Sequence, residues 1–355
     1  MIRALDRFPA VDVAVPVTDT IIRVKGNVIA EIPKRSELMR GQTPQGFLRW
    51  VIQEAHRRAL EEDLESATDD CSLVVRYGLG QVYVVEGSVE NIKITYPMDL
   101  FIADRLFQIR SLRVLEVLDR SAVESALSML NGKVLVVFGG TSGIGRSVAE
   151  IGKELGAKTY VFSRRTEVDV REPSLVGGAL ADVADAEGRV DVVVDSAGVL
   201  KMAPIWSTSY EAIREQIEVN LLGAFNVARA SIPYLRETRG SLVFLASSSY
   251  TRGRPNYTPY SASKAALVNM VQGIAAELEP MGIRVNAVSP ERTKTPMRLR
   301  NFGPEPDETL LDPDAVAYVV LLVSQMGFTG QVVDVRKSKE ERILRELGLI
   351  PRRGR

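Results

Sequence analysis

The chain has 355 residues, 45% of them hydrophobic, which is enough apolar material for two or three globular domains with real cores. Its 45 Lys and Arg balance 45 Asp and Glu, so no single-sign field is available to attract nucleic acid or an anionic membrane. One cysteine, Cys71, excludes an internal disulfide and suits a reducing cytoplasm; one histidine, His56, leaves no His/Cys cluster for a metal; and the longest apolar run, residues 316–323, is far shorter than the roughly 20 residues that span a bilayer.

Taken from the N-terminus, charge alternates with apolar residues, a pattern of neither a signal peptide nor a membrane anchor. Residues 11–23 read as an extended arm, Lys25-Gly26-Asn27 as a turn and residues 28–32 as the returning strand, together a long β-hairpin. Thr43-Pro44-Gln45 offers a helix cap and first-turn proline before Phe47, Leu48, Val51, Ile52, Ala55 and Ala59 at helical spacing. His56 falls at the edge of that stripe and reads as a packed or solvent-facing residue. Residues 81–86 and 91–95 read as strands, and a helix is expected from Pro97 to about residue 109. Val15-Pro16-Val17-Thr18-Asp19-Thr20, Arg35, Thr43-Pro44-Gln45, Thr68-Asp69-Asp70, Glu86-Gly87 and Asn91-Ile92-Lys93-Ile94-Thr95 resemble, in order, the C-terminal half of a cytidylyltransferase acting on methylerythritol 4-phosphate or ribitol 5-phosphate. The resemblance implies that Thr20, Arg35 and Thr43 face a polyol phosphate, that Lys93 reaches toward the metal and phosphate region, and that the hairpin arm exchanges with a partner subunit. The family's glycine-rich CTP loop and metal-holding aspartate have no counterpart in these residues, so no cytidylyl transfer is expected from this chain; Met1 reads as an internal start within a longer protein rather than the start of a remnant.

Residues 111–132 form the join, with Ser121 and Glu124 at capping-box spacing and Asn131-Gly132 as a stop, a short connecting helix rather than a loose linker. Residues 133–138 are then an almost continuous apolar run, as in a parallel strand covered on both faces. Gly139, Thr141, Ser142, Gly143, Ile144 and Gly145 make a glycine-rich turn into a helix over residues 144–155, a geometry that brings backbone N–H groups and a positive helix end to a pyrophosphate. A second strand, residues 159–162, ends in Ser163-Arg164-Arg165 instead of the acidic residue that binds an unphosphorylated ribose; arginines there favour NADP(H) over NAD(H). Asp169 ends a third, short strand near the adenine, and a fourth, residues 190–194, runs into Asp195-Ser196-Ala197-Gly198.

Tyr260 and Lys264 are spaced i, i+4 and share a helix face, where an ammonium beside a phenol favours the phenolate. Ser247 follows the apolar strand of residues 242–245 and can bond the same substrate oxygen, with Ser248 the alternative if the register differs; Asn220 lies in a helix, where its amide can hold a proton-relaying water. With Arg284-Val285-Asn286-Ala287-Val288-Ser289-Pro290, these elements resemble the short-chain dehydrogenase/reductase family over residues 133–334. That resemblance implies a doubly wound Rossmann-type α/β fold and a tetrad of Asn220, Ser247, Tyr260 and Lys264. Cofactor contacts would include Ser196, Ala197, Gly198, Pro290 and Thr295, and the assembly would be a homodimer or homotetramer. Phe138, Asp195-Ser196 and Glu291 depart from the family's usual threonine, Asn-Asn and glycine. Arg252, Arg254, Arg292 and Lys294 lie on loops expected to flank the cleft and point to a phosphorylated substrate. Both halves together resemble bifunctional enzymes that reduce ribulose 5-phosphate and activate ribitol 5-phosphate with CTP. The organisation expected is a truncated cytidylyltransferase-like segment (1–110), a connecting helix (111–132), a reductase domain (133–336) and a charged, amphipathic helical tail (337–355) whose last residues, 351–355, are disordered. A non-catalytic dimerisation scaffold is the alternative outside the enzymes, and the intact tetrad argues against it.

Overall fold

The computed structural model describes residues 1–64, 66–110 and 120–350. The chain forms two compact units, Met1–Phe107 and Gln108–Arg355. In the first, β1 (Ala10–Pro16) is the central strand of a three-stranded sheet, antiparallel to β4 (Met39–Phe47) and parallel to β5 (Val82–Glu86). Between β1 and β4, the strands β2 (Arg23–Lys25) and β3 (Val28–Glu31) form a separate, fully exposed ribbon. The long hairpin expected from sequence is therefore two structures: residues 10–16 are taken by the sheet and only residues 23–31 by the hairpin.

The helix α1 (Arg49–Glu61) starts later than its sequence signal, with Leu48 at the cap position. Val11 pairs with Gly46 while Val13 pairs with Gln42, so residues 43–45 bulge out of β4. Pairing with β1 outcompetes the local helix cap, and Pro44, with no N–H to give a ladder, is suited to the bulge. The segment 91–95 is not a strand: Asn91 Nδ2 donates to the carbonyl of Thr43 at 2.6 Å, and Gln42 Nε2 donates to the carbonyls of Ser88 and Asn91 at 2.7 Å each. Side-chain bonds to the bulge replace the ladder there. The helix α2 (Asp70–Arg76) carries a capping box made by Asp69 and Ser72, and α1 and α2 close a small core of Ala10, Val51, Ala55, Leu73 and Val74. The helix α3 (Pro97–Arg110) follows.

The second unit holds a six-stranded, wholly parallel sheet. Its strands are β6 (Val134–Phe138), β7 (Lys158–Phe162), β8 (Val192–Asp195), β9 (Ser241–Leu245), β10 (Arg284–Pro290) and β11 (Val332–Val335), in the spatial order β11-β10-β9-β8-β6-β7. Alternation assigns the faces: Leu135, Val137, Val194 and Val243 enter one core, and Val134, Val136, Phe138 and Phe244 the other. The first core is covered by α4 (Arg120–Ser128), α5 (Gly143–Glu154) and α11 (Pro313–Gln325); the second by α6 (Pro173–Glu187), α8 (Gly223–Thr238) and α9 (Thr258–Leu278). The strand order reverses between β6 and β8, which opens a crevice at their C-terminal ends.

Three further expectations change. Helix α4 includes Arg120, so Ser121 lies inside it rather than capping it, and Glu124 accepts from Arg120 Nε at 2.7 Å; residues 111–119 of the expected join lie outside the described residues. Residues 168–170 are not a strand, because Val170 is buried against the helical layer and its carbonyl accepts from Asn226 Nδ2 at 2.9 Å. The tail is part of the core: Leu344, on α12 (Arg342–Glu346), and Ile350 are almost fully buried, with Ile343 and Leu347 packed beside them. The disorder expected for residues 351–355 falls outside the described residues.

Candidate active site

The crevice is a cavity of about 1170 Å³ at the C-terminal edge of the sheet, lined by Gly139, Thr141, Ser142, Gly143 and Ile144 on one side and by Ser247, Tyr260 and Lys264 on another. Two glycines are dictated by geometry. Gly139 has φ +76°, and a β-carbon there would lie 2.5 Å from the Ala197 nitrogen; Gly143 has φ +56°. Gly145 does not face the cavity but allows the turn to close, since a β-carbon on it would sit 2.6 Å from the Gly139 carbonyl oxygen and 2.9 Å from Ser196 Oγ. The N-terminus of α5 thus opens onto the cavity, with the side chains of Thr295 and Ser196 close to its glycines. Ser163, Arg164, Arg165, Asp169, Ser196, Ala197, Gly198, Pro290 and Thr295 line the same cavity. Thr141 Oγ1 donates to Ser163 Oγ at 3.0 Å, joining the glycine turn to the end of β7. A glycine cradle beneath a helix N-terminus, continuous with a cleft edged by arginines, fits a nicotinamide dinucleotide.

The groups expected to react come from three elements. Tyr260 and Lys264 lie one turn apart on α9, and Ser247 is the cap of the short turn Ser248–Thr251 that follows β9. Ser247 accepts from Ser249 N–H at 3.3 Å and from Ser249 Oγ at 3.1 Å, and its hydroxyl lies close enough to the Tyr260 phenol to oppose the effect of burial on it. Ser247, rather than the alternative Ser248, therefore reaches Tyr260. Asn220 sits in a wide helical turn, Glu218–Leu222, between α7 (Tyr210–Ile217) and α8, with one hydrogen bond spanning five residues. It is 1% exposed; its Oδ1 accepts from Val199 N–H at 2.8 Å, and its Nδ2 donates to the Val199 carbonyl at 3.0 Å and to Ser263 Oγ at 3.1 Å.

Lys264 is 4% exposed and donates from Nζ to the Leu245 carbonyl at 2.7 Å, which leaves two N–H donors on the ammonium. Burial pulls Lys264 down to about 8, opposed by the charge of Asp195; burial pushes Asp195 up to about 6, opposed by the Ala197 N–H and the charge of Lys264. In the unliganded site burial prevails over the lowering expected of a neighbouring ammonium: it pushes the Tyr260 phenol up, opposed by the Ser247 hydroxyl, while Lys264 Nζ lies 5.9 Å from the ring centre. The unliganded site keeps its phenol protonated.

Comparison with known proteins agrees with this geometry. The family described as Enoyl-(Acyl carrier protein) reductase matches residues 124–335, more than half of the chain. The chain belongs to the short-chain dehydrogenase/reductase family. It is an NAD(P)-dependent oxidoreductase, and its residues 1–109 match the 2-C-methyl-D-erythritol 4-phosphate cytidylyltransferase family. It is 44% identical over 348 residues to the bifunctional ribulose 5-phosphate reductase/CDP-ribitol pyrophosphorylase Bcs1 of Haemophilus influenzae, with 96% of this chain and 72% of that protein covered. It is 31% identical to the 3-oxoacyl-[acyl-carrier-protein] reductase FabG of Thermotoga maritima, over 58% of this chain and 97% of that one. Among solved structures, the 3-ketoacyl-(acyl-carrier-protein) reductase of Brucella melitensis complexed with NADH superposes with a TM-score of 0.54 at 26% identity, covering 58% of this chain and 97% of that one. Among the described residues no helix is long and apolar enough to cross a membrane, and no group of three or more His, Cys, Asp or Glu could hold a metal ion.

The basic loops of this reductase divide. Arg254 and Arg292 line the cavity, whereas Arg252 and Lys294 do not, and Lys294 Nζ is engaged by Asp307 Oδ2 at 2.6 Å. Two arginines missed from sequence, Arg298 and Arg300, line it from the helix α10 (Pro296–Phe302), which begins where that reading stopped. The signal was present: Thr295 caps α10 through the Arg298 N–H, and Pro296 stands at its first turn. Arg298 is committed to Glu305 by two bonds of 2.6 and 2.9 Å and stacks 4.0 Å from the Phe302 ring centre. Arg164 is 3.9 Å from Glu215, and Asp169, expected near an adenine, is bound by Arg171.

In the first unit, Arg35 Nη2 donates to Thr20 Oγ1 at 3.2 Å, so two of the expected polyol-phosphate residues meet. Thr43 lies on the β4 bulge bonded to Asn91, and Lys93 is exposed two residues beyond Asn91. His56 is solvent-facing, 2.9 Å from Asp70 Oδ1.

Proposed function

We propose that this chain reduces a phosphorylated ketose with NADPH, D-ribulose 5-phosphate being converted to ribitol 5-phosphate. The observation that carries the reading is the convergence of Ser247, Tyr260 and Lys264, with Asn220 buried behind them and bonded to Ser263, on a cavity that also presents Arg254, Arg292 and Arg300. Its likeness to a relative named for ribulose 5-phosphate reduction supports the choice of ketose. Arg164 and Arg165, beyond β7, favour the 2′-phosphate of NADPH over the free ribose of NADH.

When bound, the reduced nicotinamide supplies the hydride. The substrate carbonyl oxygen sits between the Ser247 hydroxyl and the Tyr260 phenol, and Tyr260 donates its proton as charge builds on that oxygen. A phenol pushed up by burial is loaded with its proton at neutral pH, as an acid must be. The Lys264 ammonium stabilises the phenolate left behind, and Asn220 holds the water that returns the proton. Arg254, Arg292 and Arg300 take the substrate phosphate. The working unit is the second compact unit, in which α4 and the segment after β11 complete the core around residues 133–336, in a cytoplasmic homodimer or homotetramer.

The cytidylyltransferase match supports a second role for residues 1–110, a polyol-phosphate site built on Thr20, Arg35, Thr43 and Lys93.

The reductase reading is tested through the arginines. Arg254→Ala and Arg292→Ala should each raise KM for ribulose 5-phosphate roughly tenfold or more, the loss of a charge-assisted hydrogen bond, and leave the slow reduction of unphosphorylated ribulose unchanged. Equal effects on both ketoses would remove the phosphate from the proposal.

A further inference from the structure

The site contains one buried ionisable group to which the proposed chemistry assigns no task. Asp195 ends β8, is 5% exposed, and has one hydrogen bond recorded, accepted by Oδ1 from the Ala197 N–H at 3.0 Å. Its position on the sheet is specific. Asp195 pairs across the ladder with Phe244, and the next residue on that strand, Leu245, supplies the carbonyl that receives the Lys264 proton at 2.7 Å. The turn that follows Asp195 wraps the same amine, since a β-carbon on Gly198 would lie 3.8 Å from Lys264 Nζ and 3.5 Å from Asn220 Oδ1.

We propose that Asp195 is a positioning residue of the reductase, its carboxylate acting as the counter-charge that keeps the buried Lys264 an ammonium and holds it at the strand ends. The inference rests on the roles of Tyr260 and Lys264 proposed above. An isolated ammonium buried this deeply sheds its proton, because the low-dielectric interior penalises the charged form; an opposite charge nearby restores it. The mutual influence of the two groups supports the pairing: each opposes the effect of burial on the other. The other ionisable group beside the pair is Tyr260, on the same helix as Lys264, while Asn220 and Ser247 face it uncharged. The carboxylates that line the cavity are occupied elsewhere: Asp169 by Arg171, Glu215 by Lys201, and Glu291 by the backbone N–H of Lys337.

Asp195→Asn removes the charge and retains an oxygen for the Ala197 N–H. In the cofactor-saturated enzyme, kcat/KM for D-ribulose 5-phosphate is measured across the neutral and alkaline range. The wild-type rate should fall as pH rises through the Lys264 ionisation. In the variant that fall should begin about one pH unit or more lower, a roughly tenfold loss at alkaline pH, with the rate on the acid side changed only a few-fold. Asp195→Ser, with a smaller uncharged side chain, should shift the profile the same way, and Asp195→Glu, which restores the charge, should return it toward the wild type. An alkaline limb that stays in place while the whole profile drops would make Asp195 purely structural and overturn the proposal. So would loss of NADPH binding in both uncharged variants. Tyr260→Phe in the same assay separates the two readings, since turnover by that variant defeats the site assignment whatever Asp195 does.

Discussion

In the proposed reduction Tyr260 has to hold a proton until a carbonyl oxygen demands it, and the surrounding residues divide that work. Burial raises its affinity for the proton, while Ser247 lowers the cost of giving it up. Tyr260→Phe keeps the ring in its edge contact with Tyr257, 6.2 Å away, and removes only the transferable proton. Turnover should fall by about a thousandfold or more, with NADPH affinity, followed by fluorescence titration, within about twofold. Helical spacing placed Tyr260 and Lys264 on one face, but the proposed tetrad was legible only through the resemblance to the short-chain dehydrogenase/reductase family, which joined them to Asn220 and Ser247. Asp195 was read as the start of a turn, and its burial on a strand end follows from pairing with Phe244, a partner far away in the chain. The arginines of the proposed phosphate site were half legible. Arg254 and Arg292 sit on the expected loops, but Lys294 is drawn off by Asp307 and Arg300 arrives on a helix whose return toward the cleft has no local signal.

At the level of elements, the edge of the sheet away from the cleft is tied by one buried carboxylate. Asp191 accepts from the Val134 N–H at 2.9 Å, from Lys133 Nζ at 3.1 Å and from the Arg189 guanidinium, joining the approach to β8 with the start of β6. Burial alone would raise its pKa, but Arg189, the Val134 N–H and Lys133 outweigh burial and hold the carboxyl below its ordinary range. A folded-state value below the unfolded one means that the stabilisation is complete above the unfolded carboxylate range and is lost as pH falls through the folded value. Asp191→Asn should destabilise the second unit by about 2 kcal/mol at neutral pH and by less in acid, measured by denaturant unfolding at both pH values. The C-terminal segment makes a second tie. Leu344 and Ile350 are almost fully buried, and Glu341 Oε2 accepts the Asp312 N–H just before α11. Removing residues 337–355 should cost roughly 3 kcal/mol or more, seen as a lower Tm, although the sequence there reads as a charged tail. The sequence shows an amphipathic helix there, but which surface takes its apolar face is set by non-local packing. The same limit explains residues 43–45, where local helix chemistry is strong and a non-local strand pairing prevails.

For the whole molecule, two compact units of unequal cores should unfold as two events. The first unit closes on five buried apolar residues, whereas the second has extensive cores on both faces of its sheet. Saturation with NADPH at about a hundredfold over its Kd should stabilise the second unit by about 2.7 kcal/mol and leave the melting of the first unchanged, a separation calorimetry can resolve. A single transition moved as a whole by the cofactor would mean that the units fold as one. The sequence marked both halves because each carries spaced motifs, and the doubly wound sheet because apolar strands alternate with helices; how residues 10–47 divide between sheet and ribbon depended on pairings that no local pattern encodes. The most direct test of the account is oxidation of NADPH by the purified full chain with D-ribulose 5-phosphate, followed beside NADH, unphosphorylated ribulose and the Tyr260→Phe variant. The account predicts rapid turnover that requires the phosphate, prefers NADPH and disappears in the variant. NADPH binding with no oxidation in the presence of the ketose phosphate would contradict it.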